Sequence, residues 1–261
     1  MVTWVLEVNL IAESLLVRMK QHLQDKDIRF HEMTFVPFIY EPIGERPQVD
    51  GPCVVYGAAG VAEWAAKQRW KPGVWNSPHF APQNYGERLG NLYLNRDQVI
   101  CRLSEVEALS VRHGWERFFL RPNDDNKQFA GGPTSRGDVA AWVEKLKREG
   151  LMGTNDILVA VAPLRDLGRE WRTIVVNKRP IAWSQYRRYG RRWDDPSIEL
   201  EALKAVQAAV EKFAPIDVFA ADVCESSDGM KVIEYNTFNS AGLYACDVGH
   251  VIDCINEFVL G

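Results

Sequence analysis

Two carboxylates and an amide near the C-terminal end of this chain have the types and spacing to hold a cation. They lie in IDVFAADVCESSDGMKVIEYNTFNSAGLY, residues 216–244. Residues 216–224 and 231–237 read as two strands joined by the polar turn Ser226-Ser227-Asp228-Gly229. Asp222 falls near the end of the first strand. In the second, the two-residue period puts Val232, Glu234 and Asn236 on one face and Ile233 and Tyr235 on the other. Asp222, Glu234 and Asn236 then converge in an apolar setting. Carboxylates buried without partners are costly, so a divalent cation or an arginine is the expected companion. Hard oxygen ligands of this kind suit Mg²⁺, which also keeps waters and phosphate oxygens in its shell. A lone acid here would read as solvated. The trio, followed by Asn239-Ser240-Ala241-Gly242, reads as a site.

Three further constellations carry charge in a pattern. In Phe118-Phe119-Leu120-Arg121-Pro122 an apolar strand ends in a cation and a proline stops it. The polar loop beyond brings Lys127 towards Gly131-Gly132. A triphosphate needs two or more cations and free backbone N–H groups, and such a loop can supply both. A surface pairing of Arg121 with Asp124 or Asp125 stands beside that reading. In Glu170-Trp171-Arg172 a strand would point Glu170 and Arg172 the same way, with Trp171 packed behind. The pair is then either a cross-strand salt bridge worth under ~1 kcal/mol, or Arg172 offers its planar fork to phosphate. Residues 186–193, YRRYGRRW, interleave four arginines with aromatics. That run suits stacking on single-stranded nucleic acid, closure over an anionic substrate, or a purely structural loop. The five histidines show no i, i+4 pairing, and no Ser or Cys sits in a nucleophile motif, so a triad hydrolase is not supported.

The elements that must position these groups alternate in type. Residues 3–8 read as a strand, 12–24 as a helix, 28–36 as a strand, 53–57 as a short buried strand and 58–69 as a helix, which indicates an open α/β sheet. Gly57-Ala58-Ala59-Gly60 matches no dinucleotide fingerprint or P-loop and reads as a tight turn. Residues 71–95, broken by prolines and glycines, read as a loop with at most a short helix. Ser104, with Glu107 three residues on, predicts a capped helix to Arg112. A strand over 117–121 and a helix capped by Asp138 and running to Arg148 follow. Three strands come next, over 157–163, 170–177 and 179–186, with Asn177-Lys178 as a hairpin turn. Asp195-Pro196 opens another helix, and an apolar helix ends the chain.

A net charge of −4 argues against a general binder of nucleic acid or membrane surfaces. The five cysteines include no C-x-x-C pair and sit mostly in apolar runs, which predicts buried thiols in a reducing compartment and no zinc site. MVTWVLEVNLIAESLL lacks the basic start of a signal peptide. No apolar run approaches the roughly 20 residues that span a bilayer. The expectation is a soluble, cytoplasmic protein with no membrane partner.

Taken in order, these pieces resemble the ATP-grasp ligase fold from Arg117 to the C-terminus. "FFLRP" resembles the strand ending in the family's first phosphate-binding lysine followed by Pro. Arg121 in its place is similar to a compact bacterial and phage-encoded clade. Lys127 resembles the second basic residue, on the flexible loop. "ILVAVAPL" resembles the hinge strand that holds adenine through backbone atoms, here Val161–Leu164. Ala162 stands where many relatives have Glu. "EWR" resembles the next strand, with Glu170 and Arg172, and the D…E-Y-N series resembles the metal-binding Asp222, Glu234 and Asn236. The resemblance implies an α/β (α+β) fold in three lobes: an N-terminal open α/β lobe (1–103), a small lid lobe (104–162) and a C-terminal antiparallel lobe carrying the metal (163–261). It places ATP between the last two. It implies an ATP- and Mg²⁺-dependent ligase that makes an acyl phosphate, releases ADP and phosphate, and joins a small-molecule or peptide carboxylate to an amine or other nucleophile. Arg172 and Lys127 would be its catalytic cations. A small-molecule kinase on the same scaffold, or a nucleotide-regulated binder of nucleic acid or protein, remains the alternative.

Overall fold

β1 (Thr3–Glu7) spells TWVLE and is buried at every residue, the pattern of a parallel strand covered on both faces. In the computed structural model, which describes residues 1–36, 41–44, 46–123, 129–150 and 156–261, α1 (Glu13–Asp25) returns the chain to β2 (Phe30–Phe35), parallel to β1. β3 (Pro42–Ile43) lies antiparallel on β2. β4 (Cys53–Tyr56), α2 (Ala59–Gln68) and β5 (Pro72–Gly73) complete a sheet of order β3-β2-β1-β4-β5. Leu15, Met19 and Leu23, spaced by four, form the buried stripe of α1.

Residues 78–166 form a compact unit of their own. It contains α3 (Pro82–Leu89), β6 (Val99–Arg102), α4 (Val106–Arg112), β7 (Arg117–Pro122), β8 (Gly132–Ser135), α5 (Arg136–Arg148) and β9 (Leu158–Pro163). The strands make an antiparallel sheet of order β6-β9-β7-β8. Leu103, Val106, Leu109, Phe118, Leu120, Val139, Val143 and Val161 fill its core. Because β6 pairs with β9, residues 99–102 belong with this sheet and not with the N-terminal strands. Two caps differ from the sequence reading. Ser135 caps α5, its Oγ accepting from the Asp138 N–H at 3.2 Å. Ser104 is occupied by Asp156, to which its N–H and Oγ both donate at 3.0 Å.

The other unit joins residues 1–77 to 167–261. Its second sheet is antiparallel throughout: β10 (Arg169–Val176), β11 (Arg179–Arg188), β12 (Arg191–Asp195), β13 (Val218–Ser226) and β14 (Gly229–Thr237), in the order β12-β11-β10-β13-β14. Asn177 and Lys178 turn the first hairpin with φ of 46° and 62°, the double left-handed geometry that matches strand twist. α6 (Leu200–Lys212) begins after Glu199 and not at Asp195-Pro196. The Asp195 carboxylate instead accepts from the Ser197 N–H at 2.8 Å, a local turn that uses the cap group early. α7 (Val248–Leu260) ends the chain. Its Val251, Ile252 and Ile255 share one core with Trp4 and Leu6 of β1, the α1 stripe, and Ile174 and Ala220 of the second sheet. Among the described residues no helix is long and apolar enough to cross a membrane.

Candidate functional site

Adjacent antiparallel strands put directly opposed side chains on one face, and the register here lines up charges. Arg172 on β10 stands opposite Asp222 on β13, and Asp222 stands opposite Glu234 on β14. Asn236 lies two residues along, opposite Ala220. The predicted trio is therefore gathered on neighbouring strands. One detail differs. The register slips between Asp222 and Val223, so Val232 pairs with Val223 and turns to the face opposite Glu234. A bulge beside the acids re-aims the strand at that point.

Arg172 holds Asp222 in a two-pronged pair. Nε donates to Oδ1 at 2.8 Å and Nη2 to Oδ2 at 2.6 Å, with both residues buried. Nη1 donates to the Gly242 carbonyl at 3.3 Å. The rings of Tyr186 and Tyr244 stack at 5.0 Å and 13°. The guanidinium carbon lies 5.7 Å from the first centroid and 5.2 Å from the second. Burial pushes the Asp222 carboxyl up to about 6; the Arg172 fork pulls the other way, and Glu234 and Glu170 add to the rise. Glu170 is buried too and accepts from the Tyr186 hydroxyl at 2.9 Å, with Arg187 3.8 Å away. Burial raises its carboxyl above the usual range. Asn236 Nδ2 donates to Glu234 Oε1 at 3.0 Å.

Three acids thus share a largely buried patch with the buried guanidinium of Arg172 and the half-exposed one of Arg187. The raised carboxyls at Asp222 and Glu170 register the excess of negative charge. That excess and an all-oxygen donor set fit a divalent cation at Asp222, Glu234 and Asn236. Among the described residues no three His, Cys, Asp or Glu side chains form a ready-made cage. The fit therefore rests on two carboxylates and an amide. Glu170, Tyr186 and Tyr244 are not legible in the sequence as parts of one patch. Tyr186 is visible there only as an aromatic beside arginines, and Tyr244 carries no spacing signal.

The remaining predicted residues lie in the 78–166 unit. Arg121, buried near the end of β7, stands opposite Ala160 on β9, with Nη1 3.5 Å from the Tyr85 hydroxyl. A Cβ on Gly131 would meet Arg121 Cβ at 2.8 Å, so the glycine permits the two backbones to approach. Val161 is a core residue of β9, and Leu164, just past that strand, is exposed. Lys127 lies outside the described residues. Asn239, read as part of the site's flank, is a strut: its Nδ2 donates to the carbonyls of Val55 and Gly73, and its Oδ1 accepts from the Trp75 N–H.

An α+β chain with a parallel sheet, two antiparallel sheets and this acid-bearing strand pair has a known counterpart. The sequence pattern of the ATP-grasp domain, clade family 3, matches residues 32–254, and the chain belongs to that family. Solved structures agree on the fold. A RimK domain protein ATP-grasp from Sphaerobacter thermophilus superposes with a TM-score of 0.67 at 14% identity, covering 100% of this chain and 99% of its own. The D-alanine–D-alanine ligase from Bacillus anthracis complexed with ATP gives 0.61 at 12%, covering 100% and 97%. The ATP-grasp ligase PsnB complexed with a precursor peptide and AMPPNP gives 0.57 at 14%, covering 99% and 97%. Curated proteins offer no match.

Proposed function

We propose that this protein is an ATP-dependent ligase that activates a carboxylate as an acyl phosphate and transfers the acyl group to an amine or other nucleophile. The observation that carries the reading is the register that sets Asp222 against Glu234, with Asn236 beside them, in a chain of the ATP-grasp family. Asp222, Glu234 and Asn236 would hold Mg²⁺, which when bound neutralises phosphate charge and orients the triphosphate. Arg172 has two nitrogens committed to Asp222. Its role is to keep that carboxylate ionised and pointed, which revises the direct phosphate contact expected from sequence. Glu170, tied to Tyr186, borders the same patch. Arg121, held at the end of a buried strand, and Lys127 would neutralise the triphosphate. The backbone of residues 161–164 would meet the adenine. Catalysis would then come from positioning and electrostatics. The comparison ligases bear D-alanine or a precursor peptide in their names, and a small-molecule or peptide carboxylate is the matching expectation here.

The test begins with a screen of amino acids, dipeptides and short peptides for stimulated ADP release. With an active pair in hand, isotopically labelled carboxylate oxygens are followed into the released phosphate. Label in the phosphate supports the acyl phosphate. AMP as product removes the reading, and ADP with its phosphate retained on product moves the protein to the kinases. Glu234→Gln should lower Mg²⁺-dependent turnover by about a hundredfold or more without lowering the unfolding temperature. Wild-type turnover in that variant would remove the metal assignment.

A further inference from the structure

The arginine-rich run is a β-hairpin at the edge of the second sheet, and its charges are arranged at a cost. Tyr189 and Gly190 turn it with φ of 47° and 76°. The register sets Arg187 against Arg192 and Arg188 against Arg191. Like charges directly opposed on neighbouring strands destabilise a hairpin, so the arrangement needs a reason. On one face the charges are answered from within: Arg187 lies 3.8 Å from Glu170, and Arg192 donates to Asp194 at 2.7 Å. On the other face they are not. Neither Arg188 nor Arg191 forms an ion pair among the described residues. Glu225, whose carboxylate feels the Arg188 charge, is already held by Arg169. Beside the two arginines Trp193 and Tyr189 are exposed, at 48% and 69%. The Arg188 guanidinium lies 5.6 Å from the Trp193 ring and 6.0 Å from that of Tyr189. β12 is also an edge strand, paired with β11 on one side only.

We propose that this hairpin is a docking site for an extended acidic peptide, which adds as a strand along β12 and sets its carboxylates on Arg188 and Arg191. A strand edge recognises the peptide backbone, and the unanswered guanidiniums select acidic side chains at alternate positions. Trp193 offers an apolar surface to the residues between. A nucleic acid fits less well. It has no backbone donors and acceptors to match a strand edge, and it would meet Asp194 and Glu170 on a chain of net charge −4. Charged side chains also guard edge strands against self-association. Guarding, however, calls neither for arginines opposed in pairs nor for an exposed tryptophan between them. Docking stands apart from catalysis, so its test does not depend on the ligase reading.

The probe is a fluorescent twelve-residue peptide of alternating Glu and Val, titrated by anisotropy against the whole protein at physiological salt. Controls are the Lys-Val peptide, the same Glu-Val peptide N-methylated at alternate residues, and a single-stranded oligonucleotide of equal length. Arg188→Ala/Arg191→Ala should bind the Glu-Val peptide about tenfold more weakly while unfolding no earlier than wild type. Arg188→Glu/Arg191→Glu should exchange the preference and take the Lys-Val peptide. N-methylation, which blocks strand pairing and keeps every charge, should weaken binding by a similar factor. The proposal is overturned by a wild-type protein that ignores the acidic peptide. It is equally overturned by unchanged affinity in the alanine or N-methyl arms, or by an oligonucleotide that binds more tightly than the peptide.

Discussion

Arg172 and Asp222 set the residue-scale problem. Removing two charges from water costs several kcal/mol each, and their attraction repays it only when the geometry is good and the remaining donors are used. Here both conditions hold: two short hydrogen bonds join the pair, Nη1 reaches the Gly242 carbonyl, and two tyrosine rings line the guanidinium. A pair of this kind is costly to break and cheap to replace. Asp222→Ala should destabilise the fold by about 3–5 kcal/mol because it strands a buried guanidinium. Arg172→Met/Asp222→Leu should cost clearly less than that single change. Urea unfolding of the three proteins measures both. Equal losses in the single and double variants would mean that the charges contribute little and that packing alone is being read. The sequence shows Arg172 as a cation on a strand, but a partner fifty residues later in the chain is hidden in the strand order.

At the scale of elements, local chemistry is legible where one signal dominates and illegible where two compete. The alternation through β13 and β14 is clear, because a polar residue in an apolar strand marks its face. The bulge is not, because Val232 and Ile233 suit either face equally. Ser135 and Asp138 are both cap residues three positions apart, and only the backbone tells which one stands before the first turn. The second hairpin has no strand signature, since arginines at every other step erase the apolar period that marks one. Asn239 shows how a polar residue next to an expected site can serve the frame instead. It ties the turn after β14 to the ends of β4 and β5 through the Val55 and Gly73 carbonyls and the Trp75 N–H. Asn239→Ala would leave these groups buried without partners. It should cost about 2–4 kcal/mol, seen as a lower midpoint in urea with an unchanged slope.

At the scale of the molecule, reading along the chain implies consecutive lobes, whereas contacts ignore chain order. The face of β1 that carries Trp4 and Leu6 is covered by α1 and by α7, which arrives from the other end of the sequence. Trp4 Nε1 even donates to Asn256 Oδ1 at 2.9 Å. The N-terminal sheet therefore lacks a complete core until the last helix is made. Residues 78–166, by contrast, are contiguous and carry their own sheet, two covering helices and a separate core. A domain of about 90 residues with such a core falls in the range that folds alone. The 78–166 fragment should give a dispersed amide spectrum and a cooperative urea transition worth a few kcal/mol. The 1–77 fragment should stay unfolded despite its regular βαβ pattern, because Trp4, Leu6 and the α1 stripe would face water where Val251, Ile252 and Ile255 now sit. A folded 1–77 fragment would show that the parallel sheet is self-sufficient and that α7 only caps it. An unfolded 78–166 fragment would show that its core is too small to stand without the surrounding chain.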